Sequence, residues 1–201
     1  MMQTVVGRLL VANVVLFLAE QAMGDDLIRL FGLWPLGLLS DGGGLAPPFR
    51  PWQVVSYGFL HGSILHLVLN MYALWMFGRN LEAVWGARRF TVYYFSCLIG
   101  AALTQLVVSE FVLMQGGEAY PVIGASGAVF GLLLAYGVLF PYDRIILLFP
   151  PMAIQVAWFV IGYGAIELIA GVTGSAEGVA HFAHLGGMLT GALLIWGRHR
   201  A

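Results

Sequence analysis

The sequence predicts an all-α, polytopic membrane protein, a bundle of six transmembrane helices forming a single domain over residues 1–201. Three observations carry that expectation. Of the 201 residues, 60% are hydrophobic and 9% charged, with a mean hydropathy of +0.88. A soluble domain carries about 25% charged residues, so this chain has too few to cover a globular surface. The apolar residues fall in long continuous runs and not in alternation, which selects helices over a closed barrel, the two backbones that satisfy their own hydrogen bonds in lipid. A spanning helix takes about 20 apolar residues, so the length accommodates six with short loops. Together these exclude a soluble enzyme, a disordered chain and a nucleic-acid binder working through a basic surface. The net charge of −1, with all nine basic residues arginine, agrees, because phosphate recognition needs clustered cations. Cys97 is the single cysteine, so no intrachain disulfide forms and the redox compartment is not legible.

Glycine, proline and charge breaks place the spans. The first runs from Val5 to Met23, the second from Trp52 to Phe77, and the third from Phe90 to Leu113. The fourth covers Ala125 to Phe140, the fifth Met152 to Gly171 and the sixth Val179 to Trp196. The connection from Asp25 to Pro51 holds Gly42-Gly43-Gly44 and Pro47-Pro48 yet is rich in Leu, Phe and Trp34, a mixture that suits a segment lying at the membrane interface. The fourth run is short: sixteen residues reach about 24 Å, against a hydrocarbon core of about 30 Å. The Gly- and Pro-containing stretch Gln115 to Gly124 must therefore dip below the outer surface, and irregular backbone at that depth lines a cavity. A water-filled pocket open to the outer side is expected.

Charge orients the bundle. An even span count puts both termini on one side, together with Arg8, Arg79, Arg88, Arg89, Arg144, Arg198 and Arg200. The other side receives Arg29 and Arg50 and gathers Asp25, Asp26, Asp41, Glu110, Glu118 and Glu177. Arginine excess marks cytoplasmic loops, so both termini are expected in the cytoplasm. A cleaved signal peptide is the competing reading of Met1 to Met23, but it leaves an odd span count and spoils the arginine split.

Polar residues inside spans call for an explanation each. In the second run, His66 and Asn70 are four apart and share a helix face, whereas His61 lies about 140° round from His66 on one continuous helix. The pair can aim at one small group or merely bridge neighbouring helices. The fourth run opens with Gly124-Ala125-Ser126-Gly127. Ser126 falls in a first helical turn, whose free N–H groups and positive dipole end suit a developing oxyanion; a capping serine between packing glycines is the plain alternative. The sixth run reads His181-Phe182-Ala183-His184-Leu185-Gly186-Gly187, continuing to Gly191. Gly187 and Gly191 form a small-xxx-small face beside His184, matched by Gly127 and Gly131 beside Ser126, so packing of these two faces can bring the imidazole to the hydroxyl. His181 and His184, with His61 or His66, are the candidate metal ligands; without an HExxH helix or a cysteine cluster, no metal is expected, and His181 reads as a packing or hydrogen-bonding residue. Glu167 is a single carboxylate within a span, without a paired charge, and reads as a buried structural acceptor in preference to a proton relay. Glu82 reads as an interfacial cluster with Arg88 and Arg89.

His61-x4-His66-x3-Asn70, Gly124-x-Ser126-Gly127 and Ala183-His184-x2-Gly187-x3-Gly191, in that order, resemble the rhomboid intramembrane serine proteases in the minimal six-helix form typical of bacteria. Leu81-Glu82 followed by Gly86 fits the same family. The resemblance covers the second to sixth spans. It implies Ser126 as nucleophile, His184 as general base, and His66, Asn70 and the Ser126 N–H as the oxyanion hole. It makes His61, Gly127, Gly187 and Gly191 supporting residues, with His61 tying the first loop to the bundle. It implies no cofactor, transmembrane helices of substrate proteins and membrane lipids as partners, and a bacterial plasma membrane with the active site opening outward. One departure is Trp52-Gln53, where many members carry Trp-Arg, which puts the hydrogen bonds of the first loop in question. With no acid on the His184 helix face, a Ser-His dyad is expected, its histidine oriented by helix packing. Trp158 and Phe159 are candidate gate residues between the second and fifth spans. A catalytically silent relative that binds transmembrane clients is the alternative, and a solute transporter would need paired intramembrane charges or internal repeats that the sequence lacks. A closed six-helix bundle can stand alone, and oligomeric state is open.

Overall fold

The computed structural model describes residues 3–37, 46–147, 151–174 and 180–198. Gly42-Gly43-Gly44, Asp41, Glu177, Arg200 and the expected sixth-span start at Val179 lie outside the described residues. Helix α1 covers Val5–Met23, as its apolar run predicts, and a short α2 (Asp25–Phe31) carries Asp25 and Asp26 in its first turn and Arg29 in its last, the charge order a helix dipole favours.

The second apolar run is not one helix. It divides into α3 (Gln53–Ser56) with a 3-10 turn over Tyr57–Phe59, and then α4 (Ile64–Ala73), which passes through a π-helical turn at Leu74–Gly78 into α5 (Arg79–Trp85). The two parts meet at 100°. The break has a local cause, since Ser63 caps α4 by accepting from the His66 N–H at 3.1 Å, a start signal for a new helix. The first part is tied crosswise: Ser56 Oγ donates to Phe31 O at 2.7 Å, and the Tyr57 hydroxyl donates to Leu98 O at 2.8 Å. His61 therefore sits in the break and not on a helix face shared with His66. The expected span from Trp52 to Phe77 is corrected to a helix that starts at Ile64 and runs on to Trp85.

Helix α6 (Ala87–Met114) is the longest, at 28 residues. Helix α7 (Ser126–Leu139) has 14 residues, about 21 Å at 1.5 Å per residue. The expected start of the fifth span at Met152 is also corrected. Strand β1 (Arg144–Leu147) pairs antiparallel with β2 (Met152–Gln155), Arg144 opposite Gln155, and helix α8 follows as Val156–Thr173. Helix α9 is His181–Arg198. Among the described residues α1, α6 and α8 are long and apolar enough to cross a membrane, and the bent α3–α5 pair makes four.

Helices α6, α7 and α9 pack on one another at the centre. Helix α7 is buried around its circumference, from Gly127 and Ala128 to Leu132, Leu133 and Ala135. Close approach depends on Gly187: a Cβ there would overlap the Gly127 carbonyl oxygen of α7. Helix α8 is peripheral, with Val156, Val160 and Glu167 its buried residues. Glu82 does not join Arg88 and Arg89 in a surface cluster. Its carboxylate accepts from the N–H groups of Val5 and Val6 at 2.7 and 2.9 Å, holding α5 against the positive end of α1, where those donors have no intrahelical partner. Arg89 instead lies over the Trp85 ring at 4.6 Å.

Candidate active site

The stretch before α7 runs extended beside the first loop. Leu33 and Val122 exchange both backbone hydrogen bonds at 2.9 Å, and the Gly124 N–H donates to Tyr57 O at 2.9 Å. Gly124 has φ 123°, a region that L side chains rarely enter, and a Cβ there would stand 2.8 Å from Cε1 and Nε2 of His66. The glycine thus lets the chain turn into α7 directly beneath the His66 ring, and it places half-buried Ser126 as the first helical residue. The N–H groups of that turn have no intrahelical acceptor.

Gln53, the position whose departure put the first-loop hydrogen bonds in question, keeps that loop tied. Gln53 is fully buried; its Oε1 accepts from the N–H groups of Arg50 (3.1 Å) and Trp34 (3.4 Å), and its Nε2 donates to Leu30 O at 3.3 Å. Trp52 Nε1 donates to the same Leu30 carbonyl at 3.1 Å.

Helix packing brings His184 of α9 to Ser126 of α7, with His184 Nε2 2.7 Å from Ser126 Oγ. The imidazole lies parallel to the Phe130 ring, 7° between planes and 4.2 Å between centroids. Its Nδ1 is 2.9 Å from Glu167 Oε2 on α8. His181 Nδ1 reaches the same oxygen at 2.7 Å. Glu167, His181 and His184 are all buried. The His184 helix face carries no acid, as expected, but the expectation that no carboxylate meets the ring is corrected: the acid comes from a different helix, and helix packing is not the sole device orienting the ring.

His66 is half-buried and Asn70 buried, 6% exposed; both line, with Ser126 and His184, a cavity of about 690 Å³ whose far wall is Phe159 and Tyr163 of α8. Asn70 Nδ2 donates to the His66 carbonyl at 3.0 Å, which places the amide at the wall with its side chain held by its own helix. His61 is fully buried, edge-on to His66 at 5.0 Å, and its N–H donates to Glu20 Oε2 at 3.0 Å. That bond ties the α3–α4 break to α1, a partner the sequence did not single out. Trp158 is exposed, while Phe159 lines the cavity.

One oxygen of Glu167 and one ring nitrogen each of His181 and His184 lie within 4.8 Å of one another, so these three could hold a metal ion. The set differs from the one the sequence offered, with Glu167 in the place of His61 or His66. Binding there would draw on the His184 Nδ1 lone pair, which the Ser126-facing tautomer does not have.

Residues 48–201 match the rhomboid domain family. The chain is 33% identical over 151 residues to Rhomboid protein 1, mitochondrial, of Saccharomyces cerevisiae, covering 72% of this chain and 41% of the yeast protein. It is 32% identical over 142 residues to the human Presenilin-associated rhomboid-like protein, mitochondrial, covering 69% and 35%. It is also 33% identical over 143 residues to RHOMBOID-like protein 4 of Arabidopsis thaliana, covering 71% and 33%. The match therefore spans between a third and two fifths of the length of these relatives. With a family match over residues 48–201 and helices of membrane-spanning length and composition, this chain is an integral membrane protein and belongs to the rhomboid family.

Proposed function

We propose that the chain is an intramembrane serine protease that hydrolyses peptide bonds in or near transmembrane segments of other proteins, with Ser126 as nucleophile and His184 as general base. The observation that supports this best is the 2.7 Å approach of His184 Nε2 to Ser126 Oγ at the start of a helix and on the wall of a 690 Å³ cavity. Serine is a weak nucleophile until a base takes its proton. As Oγ bonds to the scissile carbonyl carbon, the C=O π electrons move onto oxygen and the hydroxyl proton passes to Nε2. The tetrahedral oxyanion would be met by the Ser126 N–H, by His66 and by Asn70 after its amide turns away from the His66 carbonyl. Collapse breaks the C–N bond, and Nε2 returns the proton to the leaving nitrogen. A water molecule then repeats the cycle on the acyl-serine, with the same base. Desolvated donors at such a site each contribute a large share of the acceleration.

Topologically, the reading uses six crossings: α1, the bent α3–α5 pair, α6, short α7, α8 and α9, with arginine-rich loops and both termini in the cytoplasm and the serine opening outward. It follows the minimal bacterial form the sequence resembles. The cavity lies between α4 and α8, which supports sideways access for a substrate helix; unwinding is easiest at Gly or Pro.

The test is cleavage of a labelled transmembrane substrate in detergent by the wild type, Ser126→Ala and His184→Ala, with a chelator arm. Cutting by the wild type alone, unaffected by chelator, is expected. A wild type that cuts no substrate and does not react with a fluorophosphonate probe would overturn the protease reading in favour of a client-binding relative.

A further inference from the structure

We propose that Glu167 is a positioning residue for His184, completing a Ser126–His184–Glu167 relay in which the acid is contributed by α8 and is itself held by His181. This rests on the protease reading above.

The argument begins with what each atom can do. An ionised carboxylate only accepts hydrogen bonds. Glu167 Oε2 lies 2.9 Å from His184 Nδ1 and 2.7 Å from His181 Nδ1, so both ring nitrogens are met by an acceptor and carry their protons there. For His184 this choice fixes the tautomer. With the proton on Nδ1, the lone pair is on Nε2, which faces Ser126 Oγ at 2.7 Å. That is the one neutral tautomer able to take the serine proton; the other presents an N–H to the hydroxyl. During attack the ring becomes imidazolium, and a carboxylate 2.9 Å away offsets the new charge in a setting where water screens little.

Placement argues against an incidental contact. Around the carboxylate helix α8 faces outward: Ile161, Ile166, Leu168 and Ile169 are exposed, while Glu167 among them is 6% exposed. A carboxylate on a lipid-facing helix is costly unless paired, and here two histidines pair it. His181 leaves Oε2 no freedom to turn from His184, and Phe130 covers the ring face at 4.2 Å. The ring is thus set by a stack on one face, a carboxylate at Nδ1 and the serine at Nε2. A purely structural role, clamping α8 to α9, is the rival.

The experiment measures kcat and KM on the labelled transmembrane substrate for the full chain, the wild type beside Glu167→Gln and Glu167→Asp, with rates of fluorophosphonate labelling. Glutamine preserves size and removes the charge. Loss of the orienting acid in a serine-histidine site costs up to about 10⁴-fold in kcat, so the expected result is a kcat drop on the order of 10²–10⁴-fold with KM within about twofold, a parallel slowing of labelling, and partial recovery in Glu167→Asp. A structural clamp alone would lower thermal stability while leaving the kcat of the folded fraction intact, and a Glu167→Gln kcat within about threefold of wild type overturns the inference. The wild type also supplies a measurement that does not depend on the folding of a Glu167 variant: nitrogen-15 histidine spectra in detergent, with the His184 signal assigned by its selective loss in folded His184→Ala. A proton on Nδ1 is expected, and one on Nε2 overturns the proposal. A wild type that cleaves while Glu167→Gln is unimpaired leaves the protease reading standing; a wild type inert to substrate and probe removes both.

Discussion

At the residue scale, the proposed protease chemistry would separate atoms that react from atoms that hold them. Asn70 belongs to the first group only if its amide can leave the His66 carbonyl, to which it donates at 3.0 Å. Asn70→Ala should therefore cut kcat by on the order of 10²–10³-fold, the usual cost of one oxyanion donor, without abolishing cleavage; unchanged kcat would remove Asn70 from the hole. Gly124 belongs to the second group. Its φ of 123° and the His66 ring 2.8 Å from a would-be Cβ make Gly124→Ala both strained and crowded, a cost of about 1–3 kcal/mol. Thermal unfolding in detergent checks the stability loss, and the same variant should lose activity by displacing His66. Ser126, His184, His66, Asn70 and Gly124 are all visible as motif residues in the sequence. Glu167 was visible too, but its partner was not: His184 is seventeen positions away on another helix, and scanning one helix face for acids cannot find a residue that packing supplies. The 61–66 angular argument failed for the opposite reason, because it assumed a continuous helix where Ser63 starts a new one.

At the element scale, apolar continuity makes a helix legible and caps make its ends legible, as α1 illustrates. What continuity hides is a break inside a run. Leu60-His61-Gly62-Ser63 interrupts an otherwise apolar run only briefly, and the signals were Gly62 and the capping Ser63 just before Ile64-Leu65. The β1–β2 pair escaped for a different reason: Met152 to Gln155 read as the start of the fifth span, and Arg144 to Leu147 fell in the connection before it. The Glu82 contact is an element-scale device, because it satisfies the N–H groups of Val5 and Val6 and so sets where α1 begins against α5. Glu82→Ala leaves a buried donor unmet, which should cost about 1–3 kcal/mol; a melting temperature equal to wild type would contradict that. Gly187→Ala tests the α7–α9 seam more severely. A Cβ against the Gly127 carbonyl must push two central helices apart, at a cost of about 1–3 kcal/mol as for other overpacked cores, and cleavage should fall because His184 rides on the displaced helix.

At the scale of the whole molecule, the same peripheral helix carries two opposed demands. Helix α8 has 17% of its apolar window buried, against 33% for α1 and 44% for α6, so it is the least buried of the three long apolar helices, and on the protease reading it is the one expected to give way to a substrate helix. Yet it also contributes Glu167, fixed to His184 and His181. The conflict is eased by distance along the helix. Phe159 lies eight residues before Glu167, about 12 Å along the axis, so the wall facing α4 can yield near Phe159 while the carboxylate stays in register. Phe159 lines the cavity and stacks on Tyr163 at 5.4 Å; truncating it opens the α4–α8 gap without touching a reacting atom. Phe159→Ala should therefore raise the cleavage rate of a transmembrane substrate while leaving the labelling rate with a small fluorophosphonate probe unchanged, since the probe needs no lateral gap. An equal change in both rates would mean the mutation acts on the site itself, and no change in substrate cleavage would mean substrates enter elsewhere.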